Sequence, residues 1–499
     1  MRGKASFRIV VPAAAPERSI DGMADRYVGS FAVGLVDDDG ERVATLLWGD
    51  PVHVLSTSGG KAKVLARGRP GWVDSSDLTD QSLLELYVID VGQGDGVLIK
   101  TPRDRWILVD GGRSLADQMT KKGTANFLRW KFVKDLREDA VKLESIVVTH
   151  PDQDHFGGVA DVLLGRLWEG TTFPVEVGTL YHSGFGRFAA RPQLGATERG
   201  EVAPFPVGFR GVQRSGSFHT ELLEDADDFA NPPRPFWGSF AEYASLVASV
   251  PRTVQRLSHL TGYLPGYGPT AQLTIRVLGP ILEEFAPGKR GLRRLESDDG
   301  ITLNGHSVVL RLEYGDVRLL LAGDLNTRSQ RLLRSYLPDA ELQVDVAKAC
   351  HHGAEDVDPE FLQATGPRVT VISSGDNESY SHPRPVLIGS SAWFGREAVD
   401  PTGKRMPPLV YSTELARSVR LAFARDVRQE ATDTFAPPER FQVKVDERTD
   451  RYEPLERLPV ASDLVYGLVN VRTDGRDVLC ATMEEQGNAF DVKVIRVGA

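Results

Sequence analysis

One short segment of the sequence, THPDQDHFGG, constrains this chain more than any other feature. It follows an apolar run that is typical of a buried strand, and within six residues it supplies four potential metal ligands: His150, Asp152, Asp154 and His155. Imidazole nitrogens and carboxylate oxygens both suit zinc, and side chains that alternate along a turn can face two ions. A turn that only caps the next helix would account for one carboxylate, not for four ligands. The segment therefore predicts a metal centre at a strand end.

Three later segments repeat this order of an apolar strand followed by a candidate ligand. LLLAGD ends at Asp324, VDVAKACHHG leads to His351 and His352, and SSGDNESYSHP brings in His382. Taken singly, each has an ordinary structural interpretation, such as a turn-forming aspartate or a core histidine. However, half of the ten histidines lie in these motifs and the first segment. That concentration favours one shared site.

Length and composition indicate a soluble protein of several units. At roughly 150 residues per domain, 499 residues predict two or three units. Hydrophobic residues make up 41% and charged residues 26%, a balance typical of globular proteins. We find no run near the ~20 apolar residues of a membrane helix and no secretory signal. The two cysteines, Cys350 and Cys480, cannot form a disulfide framework, so we expect a cytoplasmic protein without a membrane partner.

The formal net charge of -10 argues against attraction of nucleic acid to the whole surface, because binding to phosphates needs clustered lysine and arginine. A local basic groove is still compatible with this charge. The densest basic run extends from Pro287 to Arg294, and a solvated loop is its simpler interpretation.

The chain divides into a small N-terminal unit and a larger one. The segments LLWGDPVHVL and GWVDSSDL, in a β-rich region broken by Gly, Pro, Ser and Asp, resemble the bacterial SH3-like domain. We predict an SH3-like β-barrel over residues 1–80, which offers a surface for a peptide or protein partner and folds separately from the rest. The larger domain is predicted over residues 83–499. It contains an insertion at about 171–268 and a C-terminal elaboration from about 425.

Within the predicted insertion, FWGSFAEYASLVASVPRTVQRLSHL indicates one helix, broken or kinked at Pro251. His219 and His259 also lie in this insertion, outside every ligand motif. We expect both histidines to be dispensable for catalysis.

A series of motifs between Leu83 and about Ser412 resembles the ComEC-type metallo-β-lactamase-fold hydrolases. The opening of that family is matched by VIDVGQGDGVLIKTP and WILVDGG, and its HxDxDHxGG motif by His150 to Gly158. Its later motifs are matched, in order, by NGHSVVLRL, LLLAGD, KACHHG and SSGDNESYSHP. The resemblance implies an α/β fold, namely the metallo-β-lactamase αββα sandwich, which is preceded here by the small SH3-like β-barrel.

The resemblance also implies two divalent metal ions with separate ligand sets. The first ion would have two residues of the ligand motif and one histidine of the later pair: His150, Asp152 and His351 or His352. The second ion would have the other two residues of that motif and the last histidine: Asp154, His155 and His382. Asp324 would bridge both ions, and Asp110 would accept a hydrogen bond from a ligand histidine and fix its tautomer. Zinc is the expected metal, with manganese as the alternative because the carboxylates make the site harder.

The implied reaction is hydrolysis of a phosphodiester, with DNA or RNA as candidate substrates. Two cations that share Asp324 and a water would lower the pKa of that water from about 15.7 to about 7, and the bridging hydroxide would be the nucleophile. Catalytic roles would fall to Asp154, Asp324 and Asp110. Two alternatives are a hydrolase of small diesters, such as a cyclic nucleotide or a phosphocholine ester, and a non-catalytic metal-containing binding protein. Structural zinc sites are usually closed and single, which argues against the binding protein.

The sequence departs from related patterns at two positions of the predicted site. Ala354 stands where the family usually has serine after HHG, so a hydroxyl contact is absent there. Asp152 stands where β-lactamases carry histidine, so antibiotic hydrolysis is not expected. Lys348 lies just upstream of the histidine pair and could add positive charge to the site, although a lysine in solvent at a strand end is the simpler expectation.

Overall fold

The computed structural model describes residues 26–118, 123–168, 171–375, 382–414, 426–429, 441–444, 453–455, 467–483 and 490–498. Two β-sheets lie face to face, and a shared cluster of buried residues fills the space between them; it includes Leu86 and Ile99 from one sheet and Leu310 and Val346 from the other. Helices cover the outer face of each sheet. This arrangement is the αββα sandwich predicted from the sequence.

The larger sheet has eleven strands among the described residues. In spatial order they are Thr253–Arg256, Val175–His182, Val141–Val148, Trp106–Val109, Val97–Lys100, Leu84–Val88, Val469–Thr473, Asp477–Met483, Phe490–Arg496, Ala398–Val399 and Arg405–Met406. Strands Leu84–Val88 and Val97–Lys100 are buried at every position. They read as continuous apolar runs because this part of the sheet is covered on both faces.

The smaller sheet has six strands, in the order Leu273–Gly279, Val309–Tyr314, Val317–Leu321, Val346–Lys348, Val369–Ile372 and Leu409–Ser412. Strand Val317–Leu321 pairs in parallel with Val346–Lys348, which pairs in parallel with Val369–Ile372. Because these strands share one direction, their carboxyl ends meet at one edge of the sheet. The segments that carry Asp324 and the histidine pair leave the sheet at that edge.

The α-helices are Thr124–Leu128, Gln153–Leu163, Ala226–Ala230, Gly238–Val247, Asp299–Gly305, Thr327–Tyr336, Asp339–Leu342, Pro359–Thr365 and Pro385–Phe394. A π-helical segment spans Arg129–Asp135, and short 3-10 turns span Ser75–Asp77, His259–Thr261 and Cys350–Gly353. No helix among the described residues combines the length and the apolar character needed to cross a membrane.

The N-terminal region forms an antiparallel sheet in the order Arg42–Leu47, Ala32–Val36, Arg69–Asp74, Lys61–Ala66, Pro51–Ser58, Arg26–Val28 and Leu78–Thr79. It surrounds a buried cluster of its own, which includes Val28, Leu35, Val52 and Val64. This is a small barrel-like unit, as the sequence predicts, although residues 1–25 of the predicted domain lie outside the described part of the chain. A second buried cluster joins Leu47 and Trp48 of this unit to Leu479 of the larger sheet.

The predicted insertion is less separate from the sandwich than the sequence suggests. Its segment contains strands Val175–His182 and Thr253–Arg256, which pair in parallel at one end of the larger sheet. The helical stretch predicted there is broken at Pro251, as expected: Gly238–Val247 is helical, and the chain is extended after Pro251, so only the first part of the stretch forms a helix. Proline cannot donate the helical hydrogen bond and disfavours helix at the residue before it. The domain boundaries themselves stay a prediction.

Three smaller sheets complete the described structure. A four-stranded sheet has the order Thr197–Glu201, Ser215–His219, Lys289–Arg293 and Leu282–Ala286, and a two-stranded one joins Arg166–Trp168 to Thr171–Thr172. In the predicted C-terminal elaboration, Asp426–Gln429, Phe441–Lys444 and Glu453–Leu455 form a third. The other residues from 415 to 466 lie outside the described part of the chain. The final strands belong to the larger sheet: Val469–Thr473 pairs with Leu84–Val88, and Asp477–Met483 pairs with Phe490–Arg496.

Candidate metal centre

The ligand motif lies between a buried strand and the helix that follows it. Strand Val141–Val148 ends two residues before His150, and the helix begins at Gln153. Asp152 occupies the N-cap position but makes no capping hydrogen bond with its side chain. Instead, its Oδ1 accepts from Arg187, and its Oδ2 lies 3.6 Å from Nε2 of His150. Helix capping therefore does not account for this carboxylate.

His155 is held by Asp110 at the end of strand Trp106–Val109. Nδ1 of the imidazole lies 2.9 Å from Oδ2 of Asp110. Thr149 donates its backbone N–H to Oδ1 of Asp110 at 2.8 Å and its hydroxyl to Oδ2 at 2.7 Å. Nε2 then faces Oδ2 of Asp324 at 3.3 Å and Oδ1 of Asp154 at 4.0 Å. A carboxylate on one ring nitrogen orients the other toward a metal, which is the usual arrangement for a ligand histidine.

His150 is oriented by two hydroxyl groups. Its Nδ1 lies 3.1 Å from Oγ1 of Thr149 and 3.2 Å from Oγ of Ser307. The Ser307 hydroxyl also accepts from the backbone N–H of Asp324 at 3.0 Å. One serine thus ties the first histidine of the ligand motif to the aspartate expected to bridge the ions. The sequence analysis did not single out Ser307, although it lies in the NGHSVVLRL motif.

The histidine pair lies in a tight turn after strand Val346–Lys348. His351 and His352 have φ values of 48° and 52°, a left-handed conformation that is rare for such residues and that often marks functional sites. Nδ1 of His352 lies 3.1 Å from Oδ1 of Asp95, and its Nε2 lies 3.0 Å from Oδ2 of Asp324 and 3.8 Å from Oδ2 of Asp154. Burial lowers the pKa of His352, but Asp324 and Asp95 outweigh burial and raise this pKa to about 10.

Asp95 is a second residue that the sequence analysis did not single out. It lies in the GQGDG loop, where Gln93 donates to Oδ2 of Asp154 at 3.1 Å. A Cβ on Gly94, whose φ is 109°, would lie 1.9 Å from the backbone oxygen of Asp154. Only glycine permits this approach, so the glycine spacing of the loop was the available signal.

Lys348 is buried, contrary to the expectation that it lies in solvent. Its ammonium contacts Asp95, donates to the backbone oxygen of Gly323 at 3.1 Å and lies 3.9 Å from Oδ1 of Asp324. The lysine ends a central strand of the smaller sheet, so its side chain points into the protein. It supplies a positive charge beside a cluster of carboxylates.

His351 and His382 lie at the edge of this cluster. Nε2 of His351 is 3.9 Å from Oδ2 of Asp324 and 3.3 Å from the side-chain amide of Asn304. The ring of His382 lies 5.7 Å from the ring of His351 and 6.3 Å from that of His352, between centroids. The sequence groups His382 with Asp154 and His155, whereas in the structure His352 is the histidine beside them.

Among the described residues, four overlapping groups have ligand atoms within 4.8 Å of one another. Two of them comprise His150, His155 and Asp324, and Asp154, His155 and His352; the other two contain Asp95, with Asp324 and His352 or with Asp110 and His155. In the described structure, Nε2 of His155, Nε2 of His352 and Oδ1 of Asp324 are buried and have no hydrogen-bond partner. Buried polar atoms without partners are costly, and these atoms surround one space. Nitrogen and carboxylate donors arranged in this way fit divalent metal ions.

Comparison with known proteins agrees with this chemistry. Residues 89–231 match the Metallo-beta-lactamase superfamily. The chain is 34% identical to ComE operon protein 3 of Bacillus subtilis (strain 168) over 323 residues, which is 61% of this chain and 30% of that protein. It is 38% identical to Competence protein ComA of Neisseria gonorrhoeae over 82 residues, 16% of this chain and 12% of that protein. The matches thus span under a third of either relative.

Among solved structures, the chain resembles Tm1679, a metal-dependent hydrolase of the beta-lactamase superfamily. The TM-score is 0.30 at 12% sequence identity, over 62% of this chain and 91% of that one.

Proposed function

We propose that this chain, which contains a metallo-β-lactamase domain homologous to that of the ComEC-type proteins, hydrolyses phosphodiesters at a centre of two divalent ions. The observation that carries the proposal is the convergence of buried, unpartnered atoms of His155, His352 and Asp324. Their ring nitrogens are aimed by Asp110 and Asp95 from behind.

The distances support a division of ligands in which His352, and not His382 as the resemblance implies, accompanies Asp154 and His155. Asp154, His155 and His352 form one ligand set, with Asp324 in contact with both histidines. Nε2 of His150 lies 3.6 Å from Oδ2 of Asp152, and the ring centroids of His150 and His155 are 4.0 Å apart. We assign His150 and Asp152 to the other ion together with Asp324. Nε2 of His351 lies 3.9 Å from Oδ2 of Asp324, whereas the ring of His382 is 5.7 Å from that of His351, so we leave His382 outside both sets.

Ions held there would lower the pKa of a bound water toward neutrality and stabilise the charge that develops on a phosphoryl group. The residues of this chain supply the rest. Asp110, Asp95 and Ser307 keep the imidazoles in the required tautomers and orientations. Arg187, which contacts Asp152 at the rim, can hold an anionic diester oxygen. Lys348 offsets the negative charge of Asp95 and Asp324.

The proposal is tested with the full chain reconstituted separately with zinc and with manganese. Elemental analysis should find about two ions per chain, and the loaded protein should hydrolyse bis(p-nitrophenyl) phosphate. One ion or none after reconstitution would contradict the two-ion centre. A protein with two ions that cleaves no diester, whether small or nucleic acid, would contradict the substrate class and leave the metal centre standing.

A further inference from the structure

A cavity of about 800 Å³ opens beside the metal centre, within the segment that the sequence treats as an insertion and the loop after strand Lys289–Arg293. We call it the arginine pocket; its walls include Arg187, Arg191, Leu194, His219, Trp237 and Arg294. We infer that the arginine pocket binds one nucleotide unit of a single-stranded nucleic acid, next to the phosphodiester to be cleaved. This inference rests on the proposed function and names its substrate class.

The arginine pocket is continuous with the metal centre through two residues. Arg187 lines the pocket and donates to Oδ1 of Asp152. Gly300 also lines the pocket. With its amide turned so that the nitrogen can donate, Asn304 donates to the backbone oxygen of Gly300 at 3.1 Å and to Oδ2 of Asp152 at 2.9 Å. A molecule in the pocket therefore contacts Arg187, which itself contacts the proposed metal ligand Asp152.

Two guanidinium groups of the pocket are available to a phosphate. Arg191 and Arg294 are exposed, and neither forms an ion pair with a carboxylate of the described residues. Among the described residues, the guanidinium of Arg294 donates to the backbone oxygens of Glu296 and Ser297, each at 3.1 Å. Two carboxylates, Asp298 and Asp299, also line the pocket, and Oδ1 of Asp298 accepts from the backbone N–H of Gly300 at 2.7 Å. Arginine binds phosphate oxygens with a planar set of donors, so these side chains suit a nucleic-acid backbone.

The same pocket presents a face on which a base can stack. Trp237 is 47% exposed, although a tryptophan is usually much more buried. The backbone N–H of Trp237 donates to the backbone oxygen of Arg187 at 2.8 Å, and the guanidinium of Arg187 lies 6.0 Å from the indole ring. The neighbouring residues Phe188 and Phe236 stack on each other, with ring centroids 5.5 Å apart. A supported, exposed indole beside arginines is the usual platform for an unpaired base.

Size and charge favour a single strand over a duplex. A volume of about 800 Å³ lies in the range of roughly 300–1,000 Å³ typical of small-molecule sites, so it accommodates a nucleotide but not a double helix. Duplex binding relies on many phosphate contacts, and a formal net charge of -10 argues against attraction of nucleic acid to the surface as a whole.

The test measures binding of a fluorescent, cleavage-resistant phosphorothioate oligothymidylate to the metal-loaded full chain by anisotropy. Trp237→Ala should weaken binding about tenfold because a base loses its stacking partner, and Arg191→Glu should weaken it by a similar factor because a phosphate donor is replaced by a carboxylate. The matched controls are Trp393→Ala, at an 83% exposed tryptophan outside the pocket, and Arg42→Glu in the N-terminal sheet; both should bind as the wild type does. Metal content and thermal melting confirm that each variant is folded.

Three results would overturn the inference: no binding by the wild type, pocket variants that bind within twofold of the wild type, or a duplex that binds as tightly through the same residues. Hydrolysis of bis(p-nitrophenyl) phosphate by the wild type reports separately on the proposed function. If the wild type cleaves this diester but the pocket variants bind normally, only the pocket inference fails. If pocket-dependent binding is seen without any diester cleavage, only the proposed function fails.

Discussion

Arg472 and Asp50 form an ion pair of 2.7 Å that joins the N-terminal sheet to the larger sheet of the sandwich. Both side chains are almost fully buried, at 1% and 2% exposure. Arg472 also donates to the backbone oxygen of Trp48 at 2.7 Å, and Asp50 accepts from Arg67 at 2.8 Å. Because the pair crosses between the two units, the N-terminal sheet is a structural support of the sandwich as well as a unit of its own.

The first prediction concerns the stability that depends on this contact. Asp50→Ala should lower the free energy of unfolding by about 3–5 kcal/mol, because it removes the nearer of the two carboxylates, Asp50 and Glu85, that face the buried Arg472. Deletion of residues 1–79 should be at least as harmful, in contrast to the separate folding expected from the sequence. Urea unfolding of the full-length variants measures the effect. Asp38→Ala, at an exposed aspartate of the same sheet, is the control and should change little. A soluble truncated protein with wild-type stability would contradict the prediction.

The second prediction is a dependence of stability on pH. Burial raises the pKa of Asp50, but the charges of Arg472 and Arg67 outweigh burial and hold its pKa below the usual value of about 3.9. A carboxyl group with a lowered pKa in the folded state stabilises the protein above its unfolded pKa, and this contribution is lost as the pH falls below about 4. The gap in unfolding free energy between wild type and Asp50→Asn should therefore narrow below pH 4. An unchanged gap from pH 7 to pH 3 would contradict this.

The third prediction concerns the carboxylates of the metal centre. Asp324→Ala and Asp154→Ala should each reduce the kcat of diester hydrolysis by at least about a hundredfold. The first variant loses a proposed ligand of both ions, and the second loses a proposed ligand of one ion. Circular dichroism should show native structure. His259→Ala, whose ring accepts from the backbone N–H of Leu282 at 3.1 Å, is the control. His219 lines the arginine pocket and is therefore unsuitable as a control, although the sequence analysis grouped it with His259.

The fourth prediction separates the two candidate ligands near the second ion. His352→Ala should remove one ion per chain, since Nε2 of this residue lies 3.0 Å from Asp324 and faces Asp154. His382→Ala should keep both ions. Elemental analysis of the two variants after identical reconstitution gives the answer. The opposite pattern, with an ion lost only from the His382 variant, would restore the ligand set implied by the resemblance.

The fifth prediction concerns a residue that acts through another. Asp95→Asn should weaken metal affinity about 10- to 100-fold, because Asp95 orients His352 and pairs with Lys348. Titration with a competing chelator measures the affinity. At saturating metal much of the kcat should return, which distinguishes a positioning residue from a ligand. A variant with wild-type affinity would show that Lys348 and the turn hold His352 without Asp95.

Local sequence determined much of this protein. Strands appear as apolar runs, the ligand motif follows a strand end, and Pro251 marks a helix boundary; each of these depends on neighbours within a few residues. The resemblance of ordered motifs added the sandwich fold. Only the tertiary structure brought Asp95 to His352 and Lys348, and Arg187 to Asp152, because these contacts depend on how two sheets and a loop pack. The buried ion pair of Arg472 and Asp50 could not be predicted either, because the sequence around a charged residue in a strand does not indicate its partner in the folded protein.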